Sequence, residues 1–351
     1  MTNPNNPNIQ DIVCDFGNLY QAVGKCKRNV IWKDSVAGYV KNRLANCYRL
    51  KTSLYDGKYK IDPYITFKIT EPKEREIVST RIKDRVFQRS LADNYLYNAL
   101  TKSFINSNGA CQVGKGTDFT RQQLKDALHK HFRQYGTEGY VLKCDIKNFF
   151  GSTTRKTAIE AIEPNVSDDW VLSKVIEIID SYISKTGKGL GLGSQISQLI
   201  ELSVLNPLDH YIKEVLRIKG YVRYMDDFIL IHHDKEYLRY CKEQIEKKLA
   251  ESELSLSIKK TQLFPITQPI HFLGSSYRLT DSGKVIMKML PEKVAREKRK
   301  LRRQRERVRQ GKMTKADVDL SYQTFRTNAL KGNNRNIITE MDKYYKSLWE
   351  G

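Results

Sequence analysis

Two apolar runs that each end in carboxylates constrain this chain most. The first, GYVLKCDIKNFF at residues 139–150, is compact and meets its acid at Asp145. The second, GYVRYMDDFILIHH at residues 220–233, sets Asp226 and Asp227 between Tyr221, Val222 and Tyr224 on one side and Phe228, Ile229, Leu230 and Ile231 on the other. Short apolar runs of this kind read as buried strands, so the second is predicted to be two strands joined at the acids. Adjacent carboxylates are unfavourable unless a cation neutralises them. Oxygen-rich clusters suit Mg²⁺, with Mn²⁺ as the alternative ion. If both strand ends meet in one sheet, Asp145, Asp226 and Asp227 hold two metals close together, the arrangement that serves phosphoryl transfer. The plain alternative for Asp226-Asp227 is a polar hairpin turn, which favours Asp.

Around these runs the hydrophobic period changes repeatedly. Residues 64–70 alternate as a strand, 71–74 turn, and 75–79 return as its partner. Residues 28–50, 83–100, 118–132, 155–184, 197–216 and 236–252 read as helices, and residues 139–150 as one strand. Gly187, Gly189, Gly191 and Gly193 break the chain between two of the helices. Short strands are expected near 255–265 and 271–277, followed by a basic segment and a last amphipathic helix. Mixed sheet and helix with acids on strand ends predicts an α+β palm with helical lobes.

Charge narrows the partners. Lys plus Arg total 61 against 40 Asp plus Glu, a net charge of +21, and such a field attracts nucleic acid. Between Lys284 and Lys312, Arg296, Arg299, Arg303 and Arg307 recur at helical spacing and are expected to follow a duplex backbone. Ile337, Ile338, Met341, Tyr344, Tyr345 and Leu348 form one stripe expected to pack under that basic helix. No secretory signal and no bilayer-length apolar run is visible, so no membrane partner is expected. The six cysteines are scattered without a C-x-x-C pair, which reads as reduced thiols in a cytoplasmic protein without zinc. Gly109 to Gly116 approaches a P-loop but lacks Ser or Thr after Lys115, and reads as a basic loop touching template or backbone. His232 and His233 point to opposite faces if both lie on a strand, and are read as structural.

Tyr224-Met225-Asp226-Asp227 resembles the YxDD box of reverse transcriptases. Asp145-Ile146-Lys147-Asn148-Phe149-Phe150 resembles their first palm motif, Gly193-x-x-x-Ser197 the motif between the two, and Phe272-Leu273-Gly274 their primer grip. The resemblance covers about residues 60–280, with the motifs in the family's order. It implies a right-hand polymerase fold with fingers at 1–138, palm at 139–283 (a helical insertion at about 155–189) and a helical thumb at 284–351. It assigns metal binding to Asp145, Ile146, Asp226 and Asp227. Lys73, Arg75, Phe149, Phe150, Gln198 and Lys260 are assigned to the incoming nucleotide. Tyr224, Met225, Gly193, Ser197, Phe272, Leu273, Gly274, Arg296, Arg299, Arg303 and Arg307 are assigned to primer and template. Phe150 matches an aromatic gate that excludes a 2′-hydroxyl, which implies deoxynucleotide substrates and disfavours an RNA-making polymerase. Lys260 matches a lysine near the leaving pyrophosphate.

Leu192 and Gln198 depart from the commoner Gln and Pro of the middle motif. In this the chain resembles reverse transcriptases of diversity-generating retroelements and of phage defence, within a bacterial retroelement lineage. That implies a dedicated structured RNA template, a DNA or RNA primer, deoxynucleotides, an accessory protein or further subunits, and reduced fidelity. With the thumb read as ending at Gly351, no ribonuclease H, integrase or endonuclease domain is expected. Defence-linked synthesis, including untemplated or protein-primed synthesis, and a catalytically idle RNA-binding protein are the alternatives.

Overall fold

The computed structural model describes residues 8–70, 74–191 and 194–350. Nine strands occur among them. β1 (Ile65–Ile69) and β2 (Arg75–Ser79) form an antiparallel hairpin. β3 (Tyr140–Asp145), β4 (Gly220–Tyr224), β5 (Asp227–His232) and β6 (Gln262–Pro265) form a four-stranded antiparallel sheet in the order β4-β5-β3-β6. β7 (Ile270–Phe272), β8 (Ser275–Leu279) and β9 (Val285–Met289) form a meander beside it.

The central sheet is covered on both faces, which explains why its strands read as near-continuous apolar runs. Alternation along β3 sends Leu142 and Cys144 into a large core shared with the surrounding helices. Val141, with Ile229 and Ile231 of β5, faces a second cluster built by Leu124 and Leu128 of the helix Thr117–Tyr135 and by Ile270, Phe272 and Tyr277. A third cluster ties the C-terminal helices Pro291–Arg309, Lys315–Leu330 and Arg335–Ser347 together through Leu301, Val318, Tyr322 and Met341. The expected stripe of the last helix joins this cluster, with Met341 fully buried and Ile337 and Tyr344 packed against it. The α+β right-hand architecture is thus present, with helical lobes around the sheet.

Several element boundaries differ from expectation. Residues 28–50 are not one helix: a left-handed Asn29 (φ 61°) follows the helix Phe16–Cys26, and the helices Asp34–Lys41 and Arg43–Tyr55 come after it. Residues 155–184 split at Pro164 into Arg155–Ile162 and Asp169–Thr186, the second capped by Asp168 accepting from the Val171 amide at 2.9 Å. β3 ends at Asp145, the acid expected at its end, and the chain turns just beyond it, where Asn148 has φ 45°. β9 lies where the helical lobe was expected to begin at 284, and Pro291 opens the first helix of that lobe. The helix Lys315–Leu330 was not anticipated, and a Thr314/Asp317 capping box starts it.

Candidate functional site

The β3–β5 register sets Asp145 directly opposite Asp227, so both side chains leave the same face at the same end of the sheet. Met225 and Asp226 form the two-residue turn from β4 to β5. Met225 adopts φ 56°, a left-handed conformation that a non-glycine residue takes at some energetic expense. Two hydrogen bonds hold it there. The Ile146 amide donates to the Asp226 carbonyl at 3.2 Å, and Arg223 Nη1 donates to the Met225 carbonyl at 3.1 Å.

Arg223 is itself fully buried. Its Nε donates to Asp209 Oδ1 at 2.7 Å, its Nη2 pairs with Oδ2, and Tyr221 Oη donates to the same carboxylate at 2.6 Å. A rigid, saturated ion pair therefore stands behind the acidic turn. Neither Asp209 nor Arg223 was singled out in the sequence. A charged residue inside an otherwise apolar strand was the available signal for Arg223.

The three acids sit in opposed electrostatic surroundings. Burial pushes the Asp227 carboxyl up to about 7; Lys143 pulls it down, and Asp145 and Asp226 push it further up. Asp227 Oδ1 is buried without a hydrogen-bond donor, and Lys143 Nζ stands 3.8 Å away. Asp145 is gripped instead by Lys260, whose Nζ donates to both carboxylate oxygens at 2.7 and 2.8 Å. Among the described residues no three metal-ligating side chains already converge. The donor set nevertheless fits a divalent cation: hard oxygen ligands, two of them paired across one ladder, one oxygen orphaned, and an ammonium already bound to Asp145. The sequence expectation placed Lys260 near the leaving pyrophosphate; here it lies within reach of the site, but on the carboxylate.

The segment after Asp145 is fastened from the glycine-rich loop. Phe149 is buried and packs edge-on against half-buried Phe150 at 5.8 Å between centroids. The Leu190 amide donates to the Phe150 carbonyl at 2.7 Å and the Gly189 amide to the Thr153 carbonyl at 2.9 Å. Gly189 has φ 85°, and a Cβ there would stand 2.6 Å from the Phe150 carbonyl oxygen, so only glycine fits. Beneath this loop Thr153 Oγ1 donates to Glu201 Oε2 at 2.9 Å. Burial raises the Glu201 carboxyl to about 8, the Thr153 hydrogen bond opposes this, and Asp226 adds to it. Glu201 was also missed, since one acid in an apolar helix carries no spacing signal.

Gln198 lies on the helix Gln195–Val204, where its Oε1 accepts from Cys111 Sγ at 3.3 Å. Cys111 Sγ also contacts Met225 Sδ at 3.9 Å, linking Gln198 to the Met225–Asp226 turn. Ser197 is buried one position earlier, and half-buried Tyr224 ends β4 beside Met225. Lys73 and Gly193 lie outside the described residues, and Arg75 opens β2 opposite Ile69. Phe272 is buried, and Leu273-Gly274 form the β7–β8 turn with φ 48° and 70°, the pattern of a tight hairpin. The Leu273 carbonyl accepts from Arg121 Nη2 at 3.0 Å, anchoring that turn. Arg296, Arg299, Arg303 and Arg307 are all exposed on the helix Pro291–Arg309, and Arg296 lines a 440 Å³ cleft with Arg121 and Met287. Lys115 is no free phosphate ligand: its Nζ donates to the carbonyls of Asn106 and Asn108 at 3.1 and 3.2 Å.

The family model described as reverse transcriptase (RNA-dependent DNA polymerase) matches residues 71–277. No curated protein sequence matches the chain. Among solved structures, apo telomerase from Candida tropicalis aligns with TM-score 0.50 at 14% identity, covering 70% of this chain and 53% of that one. Telomerase from Candida albicans in complex with a TWJ fragment of telomeric RNA gives 0.49 at 13% identity, covering 71% and 51%. The chain thus spans about half the length of these telomerase chains, and the likeness to the first of them speaks for the fold alone. With the family model covering more than half of the sequence, the chain belongs to the reverse transcriptase (RNA-dependent DNA polymerase) family.

Proposed function

We propose that this protein extends a primer with deoxynucleotides on an RNA template, at a site formed by Asp145, Asp226 and Asp227. The observation that carries this reading is the register of Asp145 against Asp227, with Asp226 in the turn between β4 and β5. Asp145, Asp226, Asp227 and the Ile146 carbonyl would hold divalent ions, which when bound would lower the pKa of the primer hydroxyl and neutralise charge at the triphosphate. The chain's own residues do the rest. Arg223 and the Ile146 amide hold the turn so that the acids need not reorganise. Lys260 exchanges Asp145 for phosphate oxygens when the nucleotide arrives, and Lys73 and Arg75 of the fingers hairpin hold the triphosphate. Phe149 supports Phe150, which closes the space a 2′-hydroxyl needs. Gly193, Ser197 and Gln198 border the nascent pair, Phe272, Leu273 and Gly274 position the primer, and the exposed arginines from Arg296 to Arg307 follow the duplex. In this reading residues 1–138 are fingers, the palm runs on through β9, and the thumb starts at Pro291.

Lineage is the finer part of the proposal. The Gly-x-x-x-Ser-Gln form of the middle motif supports a bacterial retroelement enzyme copying one dedicated structured RNA, with reduced fidelity. The contact of Gln198 with Cys111, and of Cys111 with Met225, gives that substitution a physical route to the catalytic turn.

The experiment is primer extension with RNA template, DNA primer and deoxynucleotides, with Mg²⁺ and Mn²⁺ in separate arms, beside Asp226→Ala/Asp227→Ala. Template-length DNA lost in the double variant is expected. Product that persists in that variant, or that forms without template, sinks the reading.

A further inference from the structure

At the end of the palm sheet away from the acids lies a second cavity of 290 Å³, between the helix Thr117–Tyr135, the turn before β4 and the end of β5. From Asp227 to His232 is five residues of strand, about 17 Å, so a ligand here does not touch the carboxylates. Its lining holds Lys130, Arg217, Lys219, His131, His232 and His233, and no acidic residue. Lys130, Arg217, Lys219 and His233 are exposed. Among the described residues, Lys130, Arg217 and Lys219 make no ion pair. Of the acids next to it in the chain, Asp234 caps the helix Lys235–Ala250 through the Tyr237 amide while its charge also acts on His232 and His233, and the Glu138 carbonyl meets His131 Nε2 at 2.7 Å.

Positive charge is crowded here, and no acid lines the cavity itself. Lys213 Nζ is braced on the carbonyls of Ile218 and Lys219 at 3.2 and 3.3 Å, and both burial and Lys130 hold its pKa down. Arg217 is held with φ 48° at the end of its helix. Like charges gathered in a concave, acid-free site are stabilised by an anion. One wall is a run of rings: His131 to Tyr135 at 5.2 Å, Tyr135 stacked on His233 at 4.3 Å, and His233 to His232 at 4.4 Å. It continues through Tyr237 to Tyr240, which is 48% exposed and ends the row. A basic groove beside aromatic rings is the pattern that holds single-stranded nucleic acid. The volume, near the lower end of the ~300–1,000 Å³ of small-ligand pockets, suits one nucleotide unit and not a duplex.

We propose that this cavity is a docking site for a single-stranded nucleic acid, outside the polymerase cleft, with phosphates on Lys130, Arg217 and Lys219 and bases along the row of rings ending at Tyr240. The proposal goes beyond polymerisation, since none of these residues serves the acidic site. A strand seated here is tethered to the enzyme while another segment occupies the cleft.

The test uses the full chain with the cleft loaded by a dideoxy-terminated primer–template hairpin, and fluorescein-labelled rU20 as probe. Lys130→Ala/Arg217→Ala/Lys219→Ala is expected to weaken rU20 binding at least about tenfold and to lower the salt slope by about 2, as for three lost single-strand phosphate contacts. A charge-matched control, Lys58→Ala/Lys156→Ala/Lys248→Ala, is expected to change binding less than about twofold, since its lysines pair with exposed acids. 4-Thiouridine in the probe is expected to crosslink to peptides containing Tyr135, His233 or Tyr240. Equal weakening by the two triple variants overturns the site. Displacement of rU20 by polyglutamate of equal charge as readily as by unlabelled rU20 overturns the nucleic-acid assignment in favour of an acidic peptide. Complete displacement by micromolar UTP overturns it in favour of a free nucleotide.

Discussion

Asp227 couples protonation and stability in one side chain. Its pKa rises from an ordinary carboxylate value to about 7 on folding, with burial the main cause. The folded state then binds more protons than the unfolded one, so stability is full below the unfolded pKa and falls as pH rises toward 7. A divalent cation held there, as proposed, would remove that penalty. The Mg²⁺-induced gain in melting temperature is therefore expected to grow from about pH 5 to about pH 7 and level off above, and a gain independent of pH would refute the linkage. Replacing Asp226 with Ala should lower kcat by at least about a thousandfold with the fold intact by circular dichroism, since metal chemistry contributes several kcal/mol. Glu201 behaves similarly without touching the ligands. With its carboxyl raised to about 8, Glu201→Gln should become progressively more stable than the parent from about pH 5 to pH 8. Melting curves across that range check it; a constant difference would mean that Glu201 is ionised throughout.

At the scale of elements, the β4–β5 hairpin is held from behind by a buried pair and the Phe149–Phe150 segment from beside by a glycine loop. Arg223→Leu leaves Asp209 buried with only Tyr221 as donor, which should cost about 3–5 kcal/mol of stability. Arg223→Leu/Asp209→Leu should recover part of that stability, by denaturant unfolding, yet not the activity, because the Met225 carbonyl still lacks its donor. Gly189→Ala forces a side chain into a left-handed backbone against the Phe150 carbonyl. The expected result is displacement of Phe150 and a rise in ribonucleotide incorporation of at least about tenfold, roughly 1.4 kcal/mol of discrimination. Steady-state kinetics with paired deoxy- and ribonucleotides reads it directly, and unchanged discrimination would remove Gly189 from the gate.

Across the whole molecule, charge and shape act together. The +21 net charge favours polyanions in general, but Arg296, Arg299, Arg303 and Arg307 share one exposed face of the helix Pro291–Arg309, with Arg296 lining the 440 Å³ cleft. Arg299→Ala/Arg307→Ala should lower the slope of log affinity against log salt by about 1.8 for a primer–template duplex, as for two lost phosphate contacts, leaving turnover at saturating substrate unchanged. Equilibrium binding at several salt concentrations decides this, and an unaltered slope would show that the helix does not follow the duplex.

How much of this was legible in the sequence depended on the range of the signal. Asp145, Asp226 and Asp227 were readable because apolar strand runs flanked them, and β1, β2 and the helix Lys235–Ala250 because their periods were unbroken. β9 was not, since Lys284 and Lys288 masked the alternation of Val285 and Met287, and Lys315–Leu330 was not, since little apolar periodicity marks it. By itself the sequence determined the strands and the acids that stand at their ends, because periodicity and turn preference are local physics. Tertiary structure alone decided that Asp145 faces Asp227, that Lys260 grips Asp145, that Arg223 pairs with Asp209, that Glu201 meets Thr153, and that the histidines join Tyr135 beside Lys130 and Arg217. Those contacts join residues far apart in the chain or turns with several local solutions, and only the packing of both faces of the sheet selects among them.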